Sequence, residues 1–132
     1  MNAAMTPELM LVVWSVALTF VQVLIAAGTA NAQVGLPTLI GNREGLPPLT
    51  GLAGRARRAH LNMLENLPLF IALALVAHVA GRENAMTLLG AQLFFWARLA
   101  HAIIYLIGIP YARTLAWTVS AVGLVLIFIQ LV

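Results

Sequence analysis

Four apolar runs of about twenty residues each, parted by one substantial loop rich in glycine and proline and by two short turns, dominate this 132-residue chain. Inside hydrocarbon no water satisfies a backbone N–H or C=O, so a spanning segment must be a helix or part of a closed barrel. The runs are continuous rather than alternating, which selects helices. The chain is 62% hydrophobic and 8% charged, too apolar to clothe a water-facing surface. Four spans consume nearly the whole length, leaving a single transmembrane domain over residues 1–132. The fold class expected is all-α, an integral membrane four-helix bundle.

The first helix is expected at about residues 8–29. Ala30-Asn31-Ala32 follows it with the small-residue spacing of a signal-peptidase site, but Met1 to Glu8 holds no Lys or Arg, so the segment reads as a retained helix. From Asn31 to Gly54 the chain carries Gly35, Pro37, Gly41, Gly45, Pro47, Pro48 and Gly51, too many breakers for a persistent helix. The second helix is expected at 53–80, ended by Gly81-Arg82-Glu83-Asn84. The third runs over 84–107 to Gly108-Ile109-Pro110, and the fourth over 111–131.

All seven basic residues are arginine, giving a formal net charge of +3. Arg43, Arg55, Arg57, Arg58 and Arg113 fall on one side of the expected bundle and Arg82 on the other. Because Lys and Arg flanking the spans are retained in the cytoplasm, both termini are expected outside it. Arginine without lysine hints at a GC-rich bacterial genome, hence an inner membrane. Nucleic acid is not an expected partner, since the arginines form no basic stripe. There is no Cys, which removes disulfides, thiolate metal sites and cysteine nucleophiles. His60, His78 and His101 lack any metal-ligand spacing, so no metal is expected.

Ionisable groups within membrane helices need a reason, because an exposed charge at the bilayer centre costs about 3 kcal/mol or more. Arg58, Asn62 and Glu65 stand four and three residues apart, on one face of the second helix. Glu65 would lie about 10 Å deep. Pro68 cannot donate to the Leu64 carbonyl, which predicts a kink or a freed acceptor there. Arg98, His101 and Tyr105 repeat the pattern on the third helix, with Arg98 at similar depth, and its natural partner is Glu65. Such faces either stitch helices together or line a polar cavity. Ser15, Thr19 and Gln22 form a third stripe, suited to hydrogen bonds between helices. Glu8 is an edge residue and His78 an interfacial one, while Trp14, Trp96 and Trp117 read as lipid or packing contacts. Arg113, beside Thr114 in the first turn of the fourth helix, can either hold an anion with free backbone N–H groups or snorkel to the boundary.

Taken together, Arg58-Ala59-His60-Leu61-Asn62-Met63-Leu64-Glu65-Asn66-Leu67-Pro68 and Arg98-Leu99-Ala100-His101-Ala102-Ile103-Ile104-Tyr105, followed by Arg113, resemble the signature of the MAPEG family, the membrane-associated proteins in eicosanoid and glutathione metabolism. The resemblance extends over nearly the whole chain and looks most like a bacterial relative of the microsomal glutathione transferases. It implies a homotrimer that binds glutathione as co-substrate between neighbouring protomers, in the cytoplasmic half of the membrane. On that resemblance Asn62 and Glu65, with Arg58 nearby, hold the glutamyl end of the tripeptide. Arg98, His101 and Tyr105 line the facing wall, and Arg113 stabilises the thiolate as the catalytic residue. Glutathione-using members commonly carry Arg immediately before the Asn; here that residue is Leu61.

The resemblance implies a glutathione-dependent transferase or peroxidase, its hydrophobic small-molecule substrate arriving from the membrane lipid. A second reading is a non-catalytic member that binds lipid or a partner protein, motivated by Leu61. A third, a small multidrug exporter, resembles proteins whose essential Glu lies inside the first helix, where this chain has only Glu8 at the edge.

Overall fold

The computed structural model describes residues 4–132, which form five α-helices and no strand. These are α1 (Pro7–Val34), α2 (Leu36–Ile40), α3 (Gly51–Val79), α4 (Ala85–Ile107) and α5 (Pro110–Leu131). The four long helices have 28, 29, 23 and 22 residues. At 1.5 Å per residue even the shortest reaches about 33 Å, enough to cross a hydrocarbon core.

Local chemistry explains the helix ends. Thr6 caps α1, its hydroxyl accepting from Leu9 N, and Pro7 supplies a preset φ in the first turn. Asn84 and Thr87 form a reciprocal capping box at the start of α4: the Asn84 side chain accepts from Thr87 N at 3.0 Å and the Thr87 hydroxyl from Asn84 N at 2.8 Å. Gly108 ends α4 in the left-handed region at φ 94, which favours glycine, and Pro110 opens α5.

The first connection differs from expectation. Instead of ending near residue 29, α1 continues through Ala30-Asn31-Ala32 to Val34, because no breaker intervenes before Gly35 at φ 84. Pro37, at the start of α2, is compatible with a helical first turn and nucleates a short helix rather than preventing one. Likewise α3 runs without interruption through Pro68.

The core joins α3, α4 and α5. Met63, Leu67, Phe70, Phe94 and Ile127 are buried together, with Phe70 and Phe94 stacked at 4.3 Å between ring centroids. Where α4 crosses α5, a Cβ at Gly90 would lie 2.5 Å from the Gly123 carbonyl oxygen, and one at Gly123 equally close to that of Gly90. Only glycine at both positions permits this approach, which is how membrane helices gain contact without a hydrophobic driving force.

Hydrogen bonds close the bundle at the end away from the arginine-rich loop. Glu8 is buried and accepts from the Thr87 hydroxyl at 2.8 Å. Glu83 accepts from the Thr6 hydroxyl at 2.7 Å and pairs with His78 Nδ1 at 3.0 Å, so Glu8 and His78, at the ends of their helices, are both engaged there. At the other end Arg55 Nε donates to the Leu106 carbonyl at 3.0 Å, serving one of the unpaired carbonyls in the last turn of α4.

The α1 stripe is buried as expected, but its bonds are not interhelical. The Thr19 hydroxyl donates to Ser15 O of its own helix, and Ser15 Oγ and Gln22 Oε1 have no partner among the described residues. The outer surface is strongly apolar: Trp14, Phe20, Trp96, Ile103 and Phe128 are all exposed. Such continuous apolar cover is a lipid-facing surface.

Candidate functional site

The inward face of α3 carries Ala59, Met63, Asn66 and Phe70, all buried. The Arg58/Asn62/Glu65 stripe runs along the flank of that face, so its members meet different surroundings. Asn62 is half-buried and accepts at Oδ1 from Arg98 Nη2 at 2.7 Å. Its backbone carbonyl accepts from Asn66 Nδ2 at 2.8 Å, holding the next turn's amide against it. Glu65 is exposed and makes no ion pair among the described residues. The expected Glu65–Arg98 pair is therefore absent within the protomer, because the flank that turns Asn62 toward α4 turns Glu65 outward.

Arg98 is 1% exposed, yet among the described residues only Nη2 of its guanidinium finds a partner; Nε and Nη1 are buried without one. His101 Nδ1 is also buried and unpartnered. One turn nearer the end of α4, Tyr105 packs edge-on against His101 at 5.4 Å between centroids. Arg113, reaching across from α5, places its guanidinium carbon 4.5 Å from the centre of the Tyr105 ring, within cation–π range.

These side chains border an open cleft of about 220 Å³ lined by Asn62, His101, Tyr105, Arg113, Thr114 and Trp117. Four of the expected site residues thus come together, with Arg98 behind Asn62. Arg58 does not join them. It lines a separate groove of about 340 Å³ with Arg57 and the Leu46-Pro47-Pro48-Leu49 stretch of the loop. Trp117 is an unexpected cleft residue; its signal in the sequence is its spacing of four from Arg113, which puts both on one face of α5. No cluster of His, Cys, Asp or Glu suited to a metal occurs among the described residues.

In chemical terms the cleft sets one guanidinium group, an imidazole, a phenol, a hydroxyl and an amide beside an indole, with the Arg98 guanidinium buried behind the amide. Such a set suits a polar, anionic ligand bound next to an apolar one.

Fold and site together define an α-helical integral membrane protein with four spans and a polar cleft recessed in its arginine-rich half. The MAPEG family model matches residues 11–132, and the chain belongs to that family. It is similar to microsomal glutathione S-transferase 1 of Homo sapiens, 41% identical over 56 residues covering 42% of this chain and 36% of that protein. Against the Bos taurus protein of the same name it is 39% identical over 67 residues, 50% of this chain and 43% of the relative. The match therefore spans less than half the length of these curated relatives.

Proposed function

We propose that the protein is a membrane-bound glutathione-dependent transferase or peroxidase acting on small hydrophobic electrophiles. The observation that carries this is the buried Arg98 guanidinium behind the cleft, two of its nitrogens without a partner among the described residues, next to His101, whose Nδ1 is also unpartnered. A desolvated guanidinium with two unpaired nitrogens is costly unless an anion completes it. Glutathione brings two carboxylates, an ammonium and a thiol. On this reading Arg98 and Asn62 take a carboxylate, while His101 and Tyr105 shape the wall. Arg113 holds negative charge at sulfur, favouring the thiolate over the thiol. Trp117 bounds the side from which an apolar substrate enters.

The proposal includes a homotrimer. Glu65 is exposed at a depth where lipid cannot solvate it, and a neighbouring protomer would cover it and Arg58. There Glu65 would meet the ammonium of the glutamyl end. The arginine-rich end is placed in the cytoplasm, with the bacterial inner membrane as the setting.

The test is a glutathione titration of the detergent-solubilised protein by calorimetry, followed by conjugation of a chlorinated nitrobenzene. Saturable binding and turnover, both reduced in Arg113→Ala, are expected. Absence of binding at millimolar ligand removes the proposal.

One observation favours a second reading, a non-catalytic member that holds lipid or a partner protein. Leu61 is 42% exposed where a carboxylate-binding Arg commonly stands, and Arg58 lies in the other groove. Co-purified lipid without ionisation of added glutathione would favour this reading; efficient turnover would end it.

A further inference from the structure

Tyr105 stands in the last turn of α4 and Arg113 in the first turn of α5, with only Gly108-Ile109 between the two helices. Gly108, at φ 94, reverses the chain and Pro110 starts α5 at once, so side chains on either side of the turn meet. The Arg113 guanidinium carbon lies over the Tyr105 ring, 4.5 Å from its centre. His101, 2% exposed, meets the same ring at 5.4 Å between centroids with the planes 64° apart, which restrains the ring in turn.

Arg113 has no counter-ion in the cleft. Among the described residues its side chain makes no ion pair and no hydrogen bond, and no carboxylate lines the cleft. Glu8 and Glu83 are engaged at the opposite end of the bundle, Glu44 is in the loop and Glu65 is turned outward.

The choice of an aromatic partner has a physical consequence. A long arginine side chain left alone spreads over many rotamers, and the field it applies at any fixed point weakens as it swings away. A carboxylate would fix it but cancel its charge. A ring face attracts the cation through its quadrupole while adding no formal charge and taking no lone-pair acceptor's place. Arg113 is thereby oriented with its positive charge intact.

We propose that Tyr105 is the positioning residue for Arg113, and that its ring, not its hydroxyl, holds the guanidinium where negative charge on a bound ligand is stabilised. Assigning that charge to a thiolate rests on the reading of the cleft as a glutathione site; the hold of Tyr105 on Arg113 does not. When the thiol ionises its proton leaves to water, and Arg113 acts on the charge that remains at sulfur.

The experiment compares wild type, Tyr105→Phe and Tyr105→Leu, each as full protein of native helix content in one detergent. The first measurement needs no glutathione: the rate at which phenylglyoxal modifies Arg113, read by mass spectrometry of the peptide that carries it. Tyr105→Leu is expected to react roughly threefold faster than wild type, and Tyr105→Phe within roughly twofold of it. The second is a pH titration of bound glutathione followed by the ultraviolet absorbance of its thiolate. Tyr105→Leu is expected to raise the midpoint by about half a unit to one unit, and Tyr105→Phe to leave it within about 0.3 of wild type. The other titratable groups around the cleft are His101 and Arg98 of α4 and Arg113 of α5, while α3 contributes the neutral Asn62. All of these are common to the two variants, and both remove the phenol, so their difference reports the ring alone.

Equal modification rates in wild type and Tyr105→Leu overturn the proposal. So does a Tyr105→Phe protein that behaves like Tyr105→Leu, because the hydroxyl would then be the part that acts. An unmoved thiol midpoint in a Tyr105→Leu protein that binds glutathione overturns the positioning role at sulfur. If the wild type binds no glutathione, the function proposed above fails, and the modification rates by themselves decide whether Tyr105 holds Arg113.

Discussion

Arg98 on α4 and Asn62 on α3 are joined by a 2.7 Å hydrogen bond from Nη2 to Oδ1, the single bond to a guanidinium otherwise buried without partners. The arrangement keeps Arg98 oriented while leaving two of its nitrogens for something else. A group desolvated at the expense of stability and only partly repaid is a net cost to the fold of the protomer.

That imbalance predicts an unusual stability pattern. Removing the charge in Arg98→Met should leave unfolding free energy within about 1 kcal/mol of wild type, or raise it, while abolishing glutathione retention. Asn62→Leu, which strands the guanidinium, should cost about 2 kcal/mol. Thermal unfolding of both variants in one detergent checks this, and a larger loss in Arg98→Met than in Asn62→Leu would contradict it.

The α4–α5 crossing should tolerate no side chain. Gly90→Ala drives a methyl against the Gly123 carbonyl and is expected to cost about 1–3 kcal/mol by overpacking. Gly28→Ala on α1 meets nothing within 4 Å and should be neutral or stabilising. Measured side by side, the unfolding midpoint of Gly90→Ala should fall while that of Gly28→Ala holds or rises.

At the opposite end of the bundle, Thr87→Val leaves the buried Glu8 carboxylate without its donor and should destabilise by about 1–3 kcal/mol. Glu8→Gln retains an oxygen able to accept from Thr87 and should lose less. Equal losses in the two variants would show that packing, rather than this bond, holds α1 against α4.

The absence of native Cys makes orientation directly measurable. A single cysteine at Asn42 should react with a membrane-impermeant maleimide only after the cytoplasmic face is opened. One at Arg82 should react in intact cells. The reverse pattern would invert the topology drawn from the arginine distribution.

Much of the architecture was legible in the chain because its causes are local. Gly108-Ile109-Pro110 stops one helix and starts the next through backbone constraints that need no neighbour, and Asn84 with Thr87 encodes a cap within four residues. The end of α1 was less legible. Ala30-Asn31-Ala32 looks like a boundary by residue size, but α1 continues until Gly35 supplies a true backbone break.

The four apolar spans and the membership of Asn62, His101, Tyr105 and Arg113 in polar faces follow from the amino-acid sequence alone, since helical periodicity and hydropathy report them directly. Which polar residue meets which is a different matter. Periodicity assigns Asn62 and Glu65 to one stripe, yet the rotation of α3 against α4 turns the first onto Arg98 and the second outward. Helix rotation depends on how whole faces pack, on Phe70 against Phe94 and Gly90 against Gly123, and no single helix carries that information. The same packing places Trp117 at the cleft.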